Sequence, residues 1–229
     1  MKQYNFVAII ALLFISAATE AQVGVVIGPR IGYRYGYSTR RYPRRPSNQK
    51  NSNLPKFQPT VNLSFGYGFP NLDKYQLPNY YNSYKGNISQ TGPITGALDY
   101  QFSRTASIGV MVTQGKVSTP YYSYSSSSST PDFNGSLENW SIMLNYVNYM
   151  PVPGDKVAPY FRTAIGVNIW NQNFTDNSGA PISVPGNNPS DLAYQIGLGV
   201  VFHLTPKAGI FVEVGYGKYI LHGGLAFKF

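Results

Sequence analysis

The chain has 229 residues, with 18 Lys and Arg against 9 Asp and Glu, a formal charge of +9 and no cysteine. Only 12% of residues are charged, about half the share usual in a soluble domain, while Tyr (20) and Gly (23) are abundant. Absence of cysteine excludes a disulfide scaffold and a thiolate metal site, and the sparse charge argues against a water-soluble enzyme.

Met1-Lys2, an apolar run from Phe6 to Ile15 and small residues leading to Ala21 have the layout of a secretory signal peptide, residues 1–21. That run is shorter than the roughly 20 apolar residues a helix needs to cross a bilayer, and no later uncharged run reaches that length. Residues 22–56 then form a Tyr-, Arg- and Pro-rich tail. From Arg30 to Lys56 it carries eight basic residues, including Arg40, Arg41, Arg44 and Arg45, and no acid. Residues 57–229 hold nine Lys and Arg against eight Asp and Glu, so the excess charge sits in the tail. A segment of this kind buries too little apolar surface to fold alone and is expected to be disordered. Its charge suits anionic lipid or cell-wall polymer, and an exported chain is not expected to meet nucleic acid.

From Thr60 onward the sequence alternates with period two, which predicts eight strands. They cover 60–69, 94–102, 105–113, 140–146, 160–169, 191–204, 207–216 and 221–229. One face of each is bulky and apolar: Val61, Leu63, Phe65, Tyr67 and Phe69 in the first, Leu192, Tyr194, Ile196, Leu198, Val200 and Phe202 in the sixth. The opposite face is Gly, Ala, Ser, Thr and Asn with a few charges. A soluble barrel turns its bulky side chains inward, whereas small and polar residues suit a narrow interior with lipid outside. Aromatic residues cluster near strand ends, as at Phe69, Phe102, Tyr146 and Phe202, where rings favour the headgroup zone. The connections alternate between long (70–92, 117–136, 171–190) and short (103–104, 151–156, 205–206), with a final short turn at Gly217-Lys218. The expected architecture of residues 57–229 is therefore an all-β, eight-stranded antiparallel up-and-down transmembrane barrel, closed so that every backbone group is paired in lipid.

The terminal run Gly223-Gly224-Leu225-Ala226-Phe227-Lys228-Phe229 resembles the last strand of bacterial outer-membrane β-barrels. With the signal peptide and the eight strands, the whole of 57–229 is similar to the small OmpA/OmpX-like barrel class, of the type found in Bacteroidetes envelopes. The resemblance implies an outer-membrane location and Phe227 and Phe229 as part of an assembly signal read by the barrel assembly machinery. It also implies that the tail and C-terminus face the periplasm. The chain departs from full-length OmpA, in which a peptidoglycan-binding domain follows the barrel.

Asp99, Arg162, Glu213 and His222 fall on the inward face of their strands. Arg162 and Glu213 lie at similar heights, and a buried charge must be paired, so these four are expected to form a structural lumen network. A two-residue turn at Gly217-Lys218 would set Glu213 directly opposite His222, within reach of a carboxylate–imidazole contact. No nucleophile or metal set accompanies them, so no catalytic residue, cofactor or metal is assigned. The reading is a monomeric, non-enzymatic envelope protein whose barrel displays long loops for adhesion, envelope integrity or partner binding. A barrel enzyme acting on lipid or peptide, or a narrow channel, is the alternative.

Overall fold

Outward side chains along the ring are large and apolar, and its strands pair side by side until the last meets the first. The computed structural model describes residues 57–80, 82–124, 130–152, 156–183 and 188–229. The expected signal peptide and tail, with Arg40, Arg41, Arg44 and Arg45, lie outside the described residues. Nine strands follow in order: β1 (Thr60–Phe69), β2 (Ser83–Lys85), β3 (Ser89–Gln101), β4 (Ala106–Ser123), β5 (Phe133–Tyr149), β6 (Val157–Asp176), β7 (Leu192–Thr205), β8 (Ala208–Tyr216) and β9 (Leu221–Lys228). A short 3-10 helix, Leu72–Gln76, lies between β1 and β2.

The sheet order is β2-β4-β3-β1-β9-β8-β7-β6-β5, and β4 also pairs with β5, which closes the ring. All pairings are antiparallel, and β1 seals against β9 with Asn62 opposite Lys228 and Phe69 opposite Leu221. Closure leaves no strand edge in the ring, so no unpaired ladder faces lipid. β2 stands outside it, pairing only with the far end of β4, where Ser83 faces Ser123. It lies in a stretch that the alternation marked as loop.

Burial follows the period. Leu144 and Leu198 are each 58% exposed, whereas Met143 and Ala193 are each 1% exposed. An apolar belt this exposed, continuous round a closed ring, is the mark of a surface that meets lipid.

Three strands run well past the limits read from the sequence. β4 continues to Ser123, β5 begins at Phe133 and β6 continues to Asp176, so much of 117–136 and 171–176 is strand rather than loop. β3 also starts early, at Ser89, with a register shift between Thr91 and Ile94. Gly92 sits in that shift at φ +74°, a conformation that glycine reaches without Cβ strain. The two ends of the ring thus differ. One, the turn end, carries Phe57, Phe229 and short connections; the other, the loop end, carries the long ones.

Candidate functional site

The middle of the interior is occupied by side chains, and that cluster is built on Glu213. Val214 faces Leu221 and Glu213 faces His222 across β8 and β9, the register expected from a tight turn at Gly217. Gly217 itself has φ +138°. Opposition does not make the two side chains partners. The Tyr160 hydroxyl donates to Glu213 Oε2 at 2.9 Å and the Tyr219 hydroxyl to Oε1 at 2.9 Å. Arg162 Nη1 lies 3.5 Å from Oε2, with both side chains buried. His222 packs its ring against Phe211 and Tyr219, at centroid distances of 4.9 and 4.3 Å. Neither imidazole nitrogen bonds to Glu213, and the ring lies beside the Gly66 backbone.

Of the four expected lumen residues, the structure brings Arg162 and Glu213 together as an ion pair. Asp99 is held separately, accepting from Asn145 Nδ2 at 2.7 Å. Two phenol donors occupy the carboxylate oxygens that an imidazole would otherwise take. Tyr160 lies two residues before Arg162 and so shares its inward face by alternation, but Tyr219 lies beside a turn, where alternation carries no signal. The glycines around the cluster make its room: a Cβ at Gly66 would come 2.4 Å from His222 Nε2, and one at Gly199 2.3 Å from Tyr160 Cζ.

Beyond this cluster, Met111, Met143, Ala97, Ala164, Ala193 and Tyr219 form a buried apolar layer across the lumen. The loop end is closed by a second ion pair that has no counterpart in the sequence reading. The 3-10 helix brings Asp73 to the mouth, where Lys218 Nζ, from the β8–β9 turn, lies 2.6 Å from Asp73 Oδ1. Asn139 Nδ2 donates to the other Asp73 oxygen at 3.1 Å, and Lys218 Nζ also reaches Asn168 Oδ1 at 3.1 Å. Asn71 fixes the helix start: its side-chain oxygen accepts from the Asp73 N–H at 3.0 Å, and its Nδ2 donates to Thr91 O. Asp73, Lys218, Asn71 and Asn139 are buried, and the Asp73 carboxylate is engaged on both oxygens, which is how a buried charge is kept stable. Asp73→Ala leaves Lys218 buried without its carboxylate and is expected to free the helix from the mouth. Trypsin should then cut faster at Lys74 and Lys85, and Asp73→Ala combined with Lys218→Met should restore much of the protection.

Outside the mouth, β4, β5 and β6 project as a sheet, and the chemistry of their faces reverses. Along the ring, outward residues are Val112, Ile142 and Val167, paired side by side. At the next outward position Trp140 stands between Gln114 and Ile169; beyond it come Lys116, Glu138 and Asn171, then Ser118, Ser136 and Asn173. Inward positions become the apolar ones: Val117, Tyr121, Leu137 and Phe174, which enclose Leu77 from the first loop. Tyr80 and Phe133 pack on Tyr121, whose hydroxyl donates to Pro78 O at 2.9 Å, and burial pushes its phenol above the ordinary tyrosine value. A sheet that turns polar outward and apolar inward is one bathed in water. The switch at Trp140 therefore marks where lipid ends, since a tryptophan ring favours that interface. The ring below it is a transmembrane β-barrel.

On the polar face of the projecting sheet, Tyr84 stacks on Tyr122 at 5.3 Å with the rings 18° apart, and Tyr124 lies 5.4 Å from Tyr84. Tyr124 is 70% exposed. At the end of β6, Asp176 Oδ1 accepts from Ser178 N, Ser178 Oγ and Ala180 N, bonds that hold its carboxyl below the ordinary range.

No family model matches the chain, and no curated protein matches it. Several solved structures are similar to it. A designed transmembrane β-barrel shares 13% identity over 74% of this chain and 95% of its own, with a TM-score of 0.41. Ail, the attachment invasion locus protein of Yersinia pestis, solved with the heparin analogue sucrose octasulfate, shares 14% over 75% and 97%, with a TM-score of 0.41. The N-terminal barrel domain of Pseudomonas aeruginosa OprF shares 14% over 75% and 97%, with a TM-score of 0.36.

Proposed function

We propose that this chain is a non-enzymatic outer-membrane protein whose eight-stranded ring anchors the projecting sheet and its loops at the cell surface, for adhesion, envelope integrity or partner binding. In this reading the turn end and the basic tail face the periplasm, and Phe227 and Phe229 serve barrel assembly. The observation that carries it is the projecting sheet, with its own core and a stacked tyrosine face lifted clear of the apolar belt. Tyrosine offers large amphipathic contact area at low entropic cost, the quality that suits it to recognition surfaces. The packed centre of the lumen supports a scaffold: both Glu213 oxygens are engaged by phenols and His222 is packed among rings.

The test is a deletion strain complemented either with the parent or with Tyr84→Ser/Tyr122→Ser/Tyr124→Ser. The variant should reach the outer membrane in parental amounts and leave detergent sensitivity unchanged, while adhesion falls toward that of the deletion strain. Parental adhesion by the variant would count against the tyrosine face as the contact surface.

A further inference from the structure

The turn end holds a feature that anchoring a surface sheet does not use. A cavity of about 800 Å³ opens there and reaches down the lumen to Arg162. Among the described residues its lining includes the basic side chains Lys156, Arg162, Lys207 and Lys228 and the acid Asp99. Lys207 and Lys228 are adjacent at the rim, where Lys228 N–H donates to Lys207 O at 2.8 Å. Asp99 is already engaged by Asn145.

The floor is as telling as the rim. Arg162 is buried, yet its Nε and Nη1 have no hydrogen-bond partner among the described residues. Its ion-pair contact with Glu213 is 3.5 Å, longer than the roughly 2.7 to 2.9 Å of a charge-assisted hydrogen bond, and two phenols share the same carboxylate. A buried guanidinium in this position keeps donors and charge to spare, and the cavity above it is where an acceptor can enter. Planar donors at the base with ammonium groups at the mouth are the complement of a phosphate, whose several oxygens can take both.

We infer that the turn-end cavity binds a phosphate monoester or diester, seated on Arg162 and drawn in past Lys156, Lys207 and Lys228. The rim lies at a membrane surface, so the phosphate can come from a lipid headgroup or from a free phosphate ester. The site is separate from the tyrosine face and stands or falls without it.

The full chain is reconstituted in phosphatidylcholine nanodiscs and titrated with glycerol 1-phosphate at low ionic strength. A second preparation, in mixed phosphatidylcholine and phosphatidylglycerol, is scored for phosphatidylglycerol retained on repurification. Binding in the first arm identifies a free ester, and retention in the second alone identifies a headgroup; either supports the site. Arg162→Gln/Glu213→Gln, which removes both charges and strands neither, should weaken the observed binding roughly ten- to a hundredfold. Lys207→Gln/Lys228→Gln, confined to the rim, should weaken it several-fold and flatten its salt dependence. A parent that holds neither probe, or a folded Arg162→Gln/Glu213→Gln protein that holds them as the parent does, would overturn the inference. Folding of each variant is checked by its shift between unboiled and boiled samples on a denaturing gel.

Discussion

Glu213→Ala is expected to lower barrel stability by about 3 to 5 kcal/mol, the cost of removing one partner from a buried ion pair. The loss is compound. Arg162 is left buried without its carboxylate, and the hydroxyls of Tyr160 and Tyr219 lose the oxygens that each meets at 2.9 Å. Glu213→Gln keeps an acceptor for one phenol and nearly the same volume, so it should cost less. His222→Phe should cost about 1 to 3 kcal/mol, less than Glu213→Ala, because it strands no charge and its penalty is the crowding of a larger ring between Phe211, Tyr219 and Gly66. Urea unfolding of the folded protein in detergent micelles, followed by tryptophan fluorescence, ranks the three. A Glu213→Ala protein as stable as the parent would mean that the cluster contributes nothing to the barrel.

Leu198→Arg is expected to cost about 2 to 4 kcal/mol, since it sets a cation on the lipid face near mid-span. Leu198 is 58% exposed and flanked outward by Phe161 and Val214. Its chain neighbour points the other way and should fail for a different reason: at Gly199 even a Cβ meets the Tyr160 ring at 2.3 Å, so Gly199→Arg must expel the phenol that holds Glu213. Ser118→Arg supplies the contrast, because Ser118 also points outward, on β4, but lies past the level of Trp140. There the cost should stay within about 0.5 kcal/mol, as for ordinary surface substitutions. Equal penalties at 198 and 118 in the same unfolding assay would place the lipid boundary elsewhere.

Alternation from Thr60 to Phe229 was enough to assign nearly every side chain of the ring to its face, because period two is a property of extended backbone and needs no partner to be read. Register across β8 and β9 was legible for the same reason: the turn at Gly217-Lys218 sets the opposition of Glu213 and His222. The projecting parts of β4, β5 and β6 were hidden by the criterion that revealed the rest. An apolar outward face identifies a strand only in lipid, and past Trp140 the apolar residues Val117, Tyr121 and Leu137 turn inward. Contacts made by irregular segments were out of reach altogether. Asp73 and Lys218 lie 145 residues apart, one in a single helical turn and the other in a hairpin turn, and neither has a periodic neighbourhood to show where it points. The partners of Glu213 were likewise decided in three dimensions. Tyr160, Tyr219, Arg162 and His222 all come within its reach, and distance and donor geometry inside a narrow lumen select the two phenols while leaving the imidazole to pack.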